Sequence, residues 1–423
     1  MDGFSQSLLG RVDAGRDRSL ALLQALLRAP SPNPPGDTQA TAAIVIEWLR
    51  AAGIEPMVFA PNTTMPNIVA RFECGRPGRH LVLNGHLDVF PVAAHEWTQD
   101  PWGGAIHKGS VYGRGACDMK GGLASLVDAF LHLHAVRDQL AGRVTFTAVS
   151  DEETFGVWGA RWMFEHQRAL MLGDCLLSGE PSSPQCVRFG EKSPYWIAIT
   201  VRTRGGHGAY THASASATKI AARVSRALEE VTKLPVRAPD NLIAMFRDPA
   251  IARQIDEGCG IGHAAVIPEI TLNIGRMSGG LKMNVLPSEC RIEADIRLPI
   301  GLSRDELRPH VARIVAQFPE ATWEEISSAE DAPNWSDPDG EMMRILRRTV
   351  VGLGRPAPVP VVTLGGTDTR LWRYHGVPAY IYGPSPASMG AADEHVAVDD
   401  FFHILRTHTL AAAQYLNASP AGS

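Results

Sequence analysis

Five short segments concentrate histidine, aspartate and glutamate in a pattern that suits a metal centre. They are NGHLDV from Asn84, GRGACDMKGG from Gly113, SDEE from Ser150, SGEPSS from Ser178 and DEHV from Asp393. Carboxylate oxygens with imidazole nitrogens suit zinc, manganese or cobalt, and no pair of closely spaced thiolates marks a structural zinc site. Singly, each segment has a plainer reading. His86 after a strand would pack as an ordinary histidine, Glu152 and Glu153 would be solvated, and Asp118 would cap the helix that follows it.

The elements around these segments alternate. Residues 18–27 and 40–51 carry apolar residues at helical spacing, separated by the proline-rich loop SPNPPGD. Residues 80–84 (HLVLN) and 143–150 (RVTFTAVS) are short β-rich runs, and Leu123, Leu126, Val127 and Phe130 mark one helix face between them. This rhythm argues for an α/β layer fold, in which ligands gather beyond the carboxyl ends of strands. A second region opens with YWIAITVR at residues 195–202. It continues with a helix at 216–228, strands at 270–274 and 290–298, and a serine-capped helix at 303–316. The loop APNWSDPDG from Ala332 leads back to a helix and the β-rich run 379–382. The expected organisation is a catalytic domain of residues 1–193 and 333–423 with an inserted α+β domain of residues 194–332.

The chain has 423 residues, enough for two cores, with 45% hydrophobic and 20% charged residues. A formal net charge of -5 gives no nucleic-acid surface and no polybasic membrane anchor. Six scattered cysteines form no disulfide framework, so reduced thiols are expected. No stretch has the form of a secretory signal or the length to span a bilayer. A cytoplasmic location is the expectation.

As an ordered set, the five segments resemble the M20 metallopeptidase and amidohydrolase family, over nearly the whole chain. The resemblance implies a mixed-sheet catalytic domain of the zinc-exopeptidase type, an inserted ferredoxin-like dimerisation or lid domain, and a homodimer, in which a strand edge such as YWIAITVR could pair with its twin. It implies two divalent cations, zinc foremost, with manganese or cobalt possible. Asp118 would bridge them, His86 and Glu180 would complete one shell, and Glu153 and His395 the other. Asp88 would hold the His86 imidazole in its tautomer. Glu152 would take a proton from the attacking water and pass it to the leaving nitrogen. In GGHGAYTH, His207 would reach into the partner subunit's site to stabilise the oxyanion. Asn284 in MNVLP and Arg370 in GGTDTR would grip the substrate, the guanidinium binding a carboxylate bidentately.

The chain departs from the family after DEE, where it continues TFGVWG. Phe155, Val157 and Trp158 follow the expected base, and Lys192, Tyr195 and Trp196 stand in GEKSPYW. These aromatics either pack the core and lid or favour a flatter, more apolar substrate. Two enzymatic readings stay open: hydrolysis of an amide in an N-acyl amino acid or dipeptide with a free carboxylate, or hydrolytic deamination of an aromatic amino acid of the nitroanthranilate type. A noncatalytic binding protein is the reading from another class.

Overall fold

The computed structural model describes residues 1–326 and 332–418. The last residues of both expected domain ranges, 194–332 and 333–423, therefore include positions outside that description.

A nine-stranded mixed sheet runs through the larger core. From one edge its order is Met57–Asn62, Met65–Glu73, Ala141–Val149, Arg76–His86, Cys175–Ser178, Ala379–Ile381, Cys186–Glu191 and Asn334–Trp335, with Val359–Thr363 pairing off this path with Cys186–Glu191. Ala141–Val149, Arg76–His86 and Cys175–Ser178 are parallel neighbours. Successive side chains leave a strand on opposite faces. Leu81 and Leu83 accordingly enter one apolar cluster and Val82 another. Both faces are therefore covered, which is why Leu81, Val82 and Leu83 are apolar without alternation. The helices Lys120–Ala135 and Val398–Asn417 pack against each other on the first face. Lys120–Ala135 is buried from residue 120 to 133, a central helix rather than a surface one.

The second unit is a four-stranded antiparallel sheet ordered Thr271–Gly279, Glu289–Leu298, Ser193–Arg202, Ala321–Glu325. The helices Ala217–Leu228 and Arg304–Val315 lie over its inner face, where Ile197, Ile199, Val201, Ile292 and Ile296 are buried together. This βαββαβ order is ferredoxin-like, as expected. Ser303 caps Arg304–Val315 in a capping box with Glu306.

Two expectations are corrected. The strand containing YWIAITVR is not an edge, because Glu289–Leu298 and Ala321–Glu325 flank it on both sides. The long edge strand is Thr271–Gly279. Nor is 194–332 one unit. The helices Asp240–Arg247, Pro249–Cys259 and His263–Val266 bury Leu242, Ile255 and Ala264 in the core of the larger sheet. Lys192 ties this excursion down, its Nζ donating to the Val266 and Glu269 carbonyls at 3.0 and 2.6 Å. All six cysteines are free thiols. Among the described residues, no helix is long and apolar enough to cross a membrane.

Candidate metal centre

Three parallel strands end side by side, and each delivers an acidic or imidazole group just beyond its carboxyl end. Arg76–His86 ends on His86 itself, paired with Val149 of the neighbouring strand. Beyond Val149 the chain turns through Glu152–Thr154, and beyond Cys175–Ser178 it reaches Glu180. Asp118 comes from the loop that opens Lys120–Ala135. Gly122, in that helix's first turn, sits so close to the Glu180 loop that a Cβ would lie 1.8 Å from the Gly179 carbonyl oxygen. Glycine there lets the two ligand-bearing loops touch.

His86, Asp118 and Glu180 converge, with one ligand atom of each within 4.8 Å of the others. His86 Nε2 lies 3.3 Å from Asp118 Oδ1 and 3.4 Å from Glu180 Oε1. On the other side of the ring, Nδ1 is 2.9 Å from the Asp88 carbonyl oxygen. A carbonyl only accepts, so Nδ1 carries a hydrogen and Nε2, turned toward the carboxylates, is the nitrogen that a cation between them would take. One imidazole nitrogen and two hard carboxylates fit a divalent transition ion or zinc.

The Asp88 side chain has a different task from the one expected. Its carboxylate stays 3.7 Å from the ring and instead accepts from the backbone N–H groups of Glu152 and Glu153, at 3.2 and 3.1 Å, and from Asn33 at 2.9 Å. It therefore anchors the turn that carries Glu152, while its own carbonyl fixes the tautomer. Glu152 Oε2 lies 4.0 Å from His86 Nε2, beside the trio. Glu153 is close by in charge terms, and its buried Oε1 has no hydrogen-bond partner. A buried carboxylate oxygen without a hydrogen-bond partner fits the role of a cation ligand.

The C-terminal segment works through a residue that the sequence reading passed over. Among the described residues, His395 does not join the converging trio. Its ring stacks on Tyr112 at 4.9 Å, and its Nδ1 bonds the Asp393 carbonyl. Its neighbour Glu394 is fully buried and faces the centre. Glu394 Oε1 accepts from the N–H groups of Gly115, Cys117 and Asp118 at 3.2, 2.9 and 2.9 Å, and Oε2 pairs with Arg114 at 2.5 Å. It thus shapes the loop that aims Asp118. Glu394→Gln keeps the shape but loses the ionised acceptor, and should weaken metal affinity about 10–100-fold in a chelator competition. Unchanged affinity would reduce Glu394 to a structural role.

The remaining expected residues fall in two places. Arg370 is buried, donating from Nη1 to the Thr367 carbonyl at 2.5 Å and from Nη2 to the Phe155 carbonyl at 3.4 Å. Asp368, missed in the sequence, lies buried beside it. His207 and Asn284 are brought together elsewhere, exposed at the rim of the second unit. There Gly206–His207 pairs with Val285–Leu286, and the Gly208 N–H donates to the Asn284 carbonyl at 2.7 Å. Phe155 and Trp196 meet edge to face at 5.0 Å, joining the Glu152 turn to the second unit. Phe155 has φ +74, a conformation that costs a non-glycine residue roughly 1–2 kcal/mol. Trp196 and an Arg161 Nε bond to the Phe155 carbonyl at 2.7 Å hold it there. Tyr195 bonds Glu325, Lys192 holds the helical excursion and Trp158 is exposed, so these are outside the centre.

So many acids cannot all ionise in one dry pocket. Burial first, then the Glu180 charge, drives Glu152 well above the usual carboxylate range. Burial, then Asp118, does the same to Glu153. Burial pushes Glu180 up to about 8, with Asp118 and Asp368 adding to it and His86 and Arg188 opposing. For His86 burial works downward, but Glu180, Asp118, Glu152 and Asp88 together carry it well above its ordinary value. A carboxyl raised in the folded state is stabilising while protonated, below about 4.5, and that stability is lost as pH rises to about 8. A bound cation displaces the protons and cancels this loss. The gain in Tm on adding Mn²⁺ should therefore grow across that range. A gain that is flat or shrinking with pH would contradict a cation among these acids.

Comparison with known proteins adds to this geometry. The model of peptidase family M20/M25/M40 matches residues 82–414. A succinyl-diaminopimelate desuccinylase of Gluconacetobacter diazotrophicus is 30% identical over 408 residues, covering 93% of this chain and 96% of that one. Another, from Cereibacter sphaeroides, is 30% identical and covers 90% and 94%. Among solved structures, an M20 family metallo-carboxypeptidase from Sulfolobus solfataricus superposes with a TM-score of 0.78 at 16% identity, covering 95% of this chain and 99% of that one. The dipeptidase Dug1p of Saccharomyces cerevisiae gives 0.76 at 15% identity, with 99% and 100% covered.

Proposed function

We propose a specific chemistry for this chain, which belongs to peptidase family M20/M25/M40 and is a hydrolase of carbon–nitrogen bonds. It cleaves the amide bond of an N-acyl amino acid or dipeptide that bears a free carboxylate. The observation carrying this reading is the convergence of His86, Asp118 and Glu180 within 4.8 Å, with Glu152 beside them. A divalent cation there, zinc foremost and manganese or cobalt as alternatives, supplies Lewis acidity that makes water acidic and a carbonyl electrophilic. Glu152 accepts a proton from the attacking water and returns it to the leaving nitrogen. The low exposure of its side chain, 11%, keeps bulk water from competing for that proton. Arg370, steadied by two backbone carbonyls, receives the substrate carboxylate. The ferredoxin-like unit serves as lid and dimerisation surface, and the working location is the cytoplasm.

A second reading, hydrolytic deamination of an aromatic amino acid, is favoured by the Phe155–Trp196 pair next to the base. Flat aromatic faces there suit an aryl substrate. The cation count separates from the substrate question. Glu153, whose buried Oε1 has no hydrogen-bond partner, and His395, whose Nδ1 bonds the Asp393 carbonyl so that Nε2 is the nitrogen offered, would hold a second cation together with Asp118. Two cations per chain is the expected result of metal analysis, and one would remove Glu153 and His395 from the ligand set.

The test is a screen of N-acyl amino acids, dipeptides and aminobenzoates with and without Mn²⁺, Zn²⁺ or Co²⁺. Metal-dependent release of an amino acid supports the first reading, and ammonia from an aminobenzoate the second. Metal-independent turnover, or turnover confined to substrates lacking a carboxylate, would sink both.

A further inference from the structure

Beside the candidate base lies a carboxylate without a hydrogen bond. Asp368 is 2% exposed, and neither of its oxygens has a hydrogen-bond partner. Asp368 Oδ1 stands 3.8 Å from Arg370 Nη1, too far for a hydrogen bond, and that nitrogen already donates to the Thr367 carbonyl. Although Asp368 occupies the N-cap position of Thr369–Tyr374, its side chain caps no N–H of that helix. It faces the turn carrying Glu152, because a Cβ on Gly156 would lie 3.1 Å from Oδ1. Across the same turn, the indole Nε1 of Trp196 is a buried donor with no acceptor, and its ring meets Phe155 at 5.0 Å.

Buried polar groups are nearly always hydrogen-bonded, and the Arg370 charge 3.8 Å away offsets the burial of this carboxylate without giving it a donor. An acceptor and a donor left open around one turn next to a catalytic centre are positions that a ligand completes. We infer that Asp368 recognises the nitrogen next to the carboxylate held by Arg370: it accepts that nitrogen's N–H, an amide N–H in an acylated substrate and an amine N–H in the free amino acid. Phe155 lies between the two orphans, so the ligand that satisfies both has an N–H donor, a carboxylate and an apolar face. That is an amino acid with an apolar or aromatic body. The inference rests on the carboxylate reading of Arg370 proposed above and adds the second half of the recognition.

The test uses metal-loaded full-length protein and ligand pairs differing only at the amine. L-phenylalanine is set against 2-methyl-3-phenylpropanoate, and 2-aminobenzoate against 2-methylbenzoate, with dissociation constants from calorimetry. A charge-assisted hydrogen bond predicts that the amine of at least one pair binds about 10- to 100-fold more tightly than its methyl counterpart. In Asp368→Asn, with metal content intact, that preference should collapse. Equal binding within both pairs by the wild-type protein would overturn the assignment without reference to any variant. So would a preference that survives in Asp368→Asn, or loss of the cation there, which would make Asp368 a ligand instead. If none of the four acids binds, the carboxylate reading itself fails, and the inference falls with it.

Discussion

Glu152→Gln is expected to lose turnover by about 10²–10⁴-fold while keeping its metal, the range that a positioned proton acceptor contributes. The substitution preserves shape, and the Glu152 backbone N–H remains held by the Asp88 carboxylate at 3.2 Å. What disappears is the basic oxygen 4.0 Å from His86 Nε2. The three groups that converge for the cation are all elsewhere, so metal content should match the wild type. KM should change little, because an amide beside the site still fills the same space. Glu153→Ala is the companion measurement. With one cation on His86, Asp118 and Glu180 it should retain that ion, and with two it should lose one. Wild-type turnover in Glu152→Gln would remove Glu152 from the mechanism, leaving Glu153 as the nearby candidate base.

Much of the centre was legible because its logic is local to strand ends. A β-rich run followed by His86, Glu152 or Glu180 places the polar group just past the carboxyl end, and parallel pairing of three such strands does the rest. Partners far along the chain were not legible. In DEHV, Glu394 fixes the loop that carries Asp118, and its partners Arg114, Gly115, Cys117 and Asp118 lie 276 to 280 residues earlier, so nothing local marks it. The Asp88 carboxylate was misjudged for a related reason: its partners, the N–H groups of Glu152 and Glu153, lie 64 and 65 residues away. YWIAITVR carries the same apolar pattern at an edge or in the middle, because strand order is settled by elements far along the chain. The helices within residues 240–266 gave no signal at all. They are short, and what they bury against is the other unit's core. Asp368 stands two residues before Arg370 in a turn where aspartate is ordinary, and only its burial without a hydrogen bond singles it out.

His207→Ala and Glu152→Ala, each nearly inactive alone, should recover activity when their subunits are mixed. His207 sits exposed on the ferredoxin-like unit, in the short ladder that also brings Asn284 close. Its Nδ1 accepts from the Ala209 N–H at 3.2 Å, so the hydrogen lies on Nε2, facing outward as a donor. An exposed donor that is not part of the His86, Asp118 and Glu180 trio is available to a second copy. The edge strand Thr271–Gly279 offers the means, since a sheet edge can pair with its twin about a twofold axis. Removing one oxyanion donor costs about 10²–10³ in turnover, which is the loss expected of His207→Ala in its homodimer. In a mixed dimer, one site combines an intact Glu152 with an intact His207 from the other chain, and the second site lacks both. Activity should then approach half of the wild-type value per heterodimer. If tagged heterodimers are isolated and their activity stays at the level of the parents, His207 acts within its own subunit or not at all. If the protein proves monomeric at assay concentration, the exposed rim has to close onto its own catalytic centre for His207 to act.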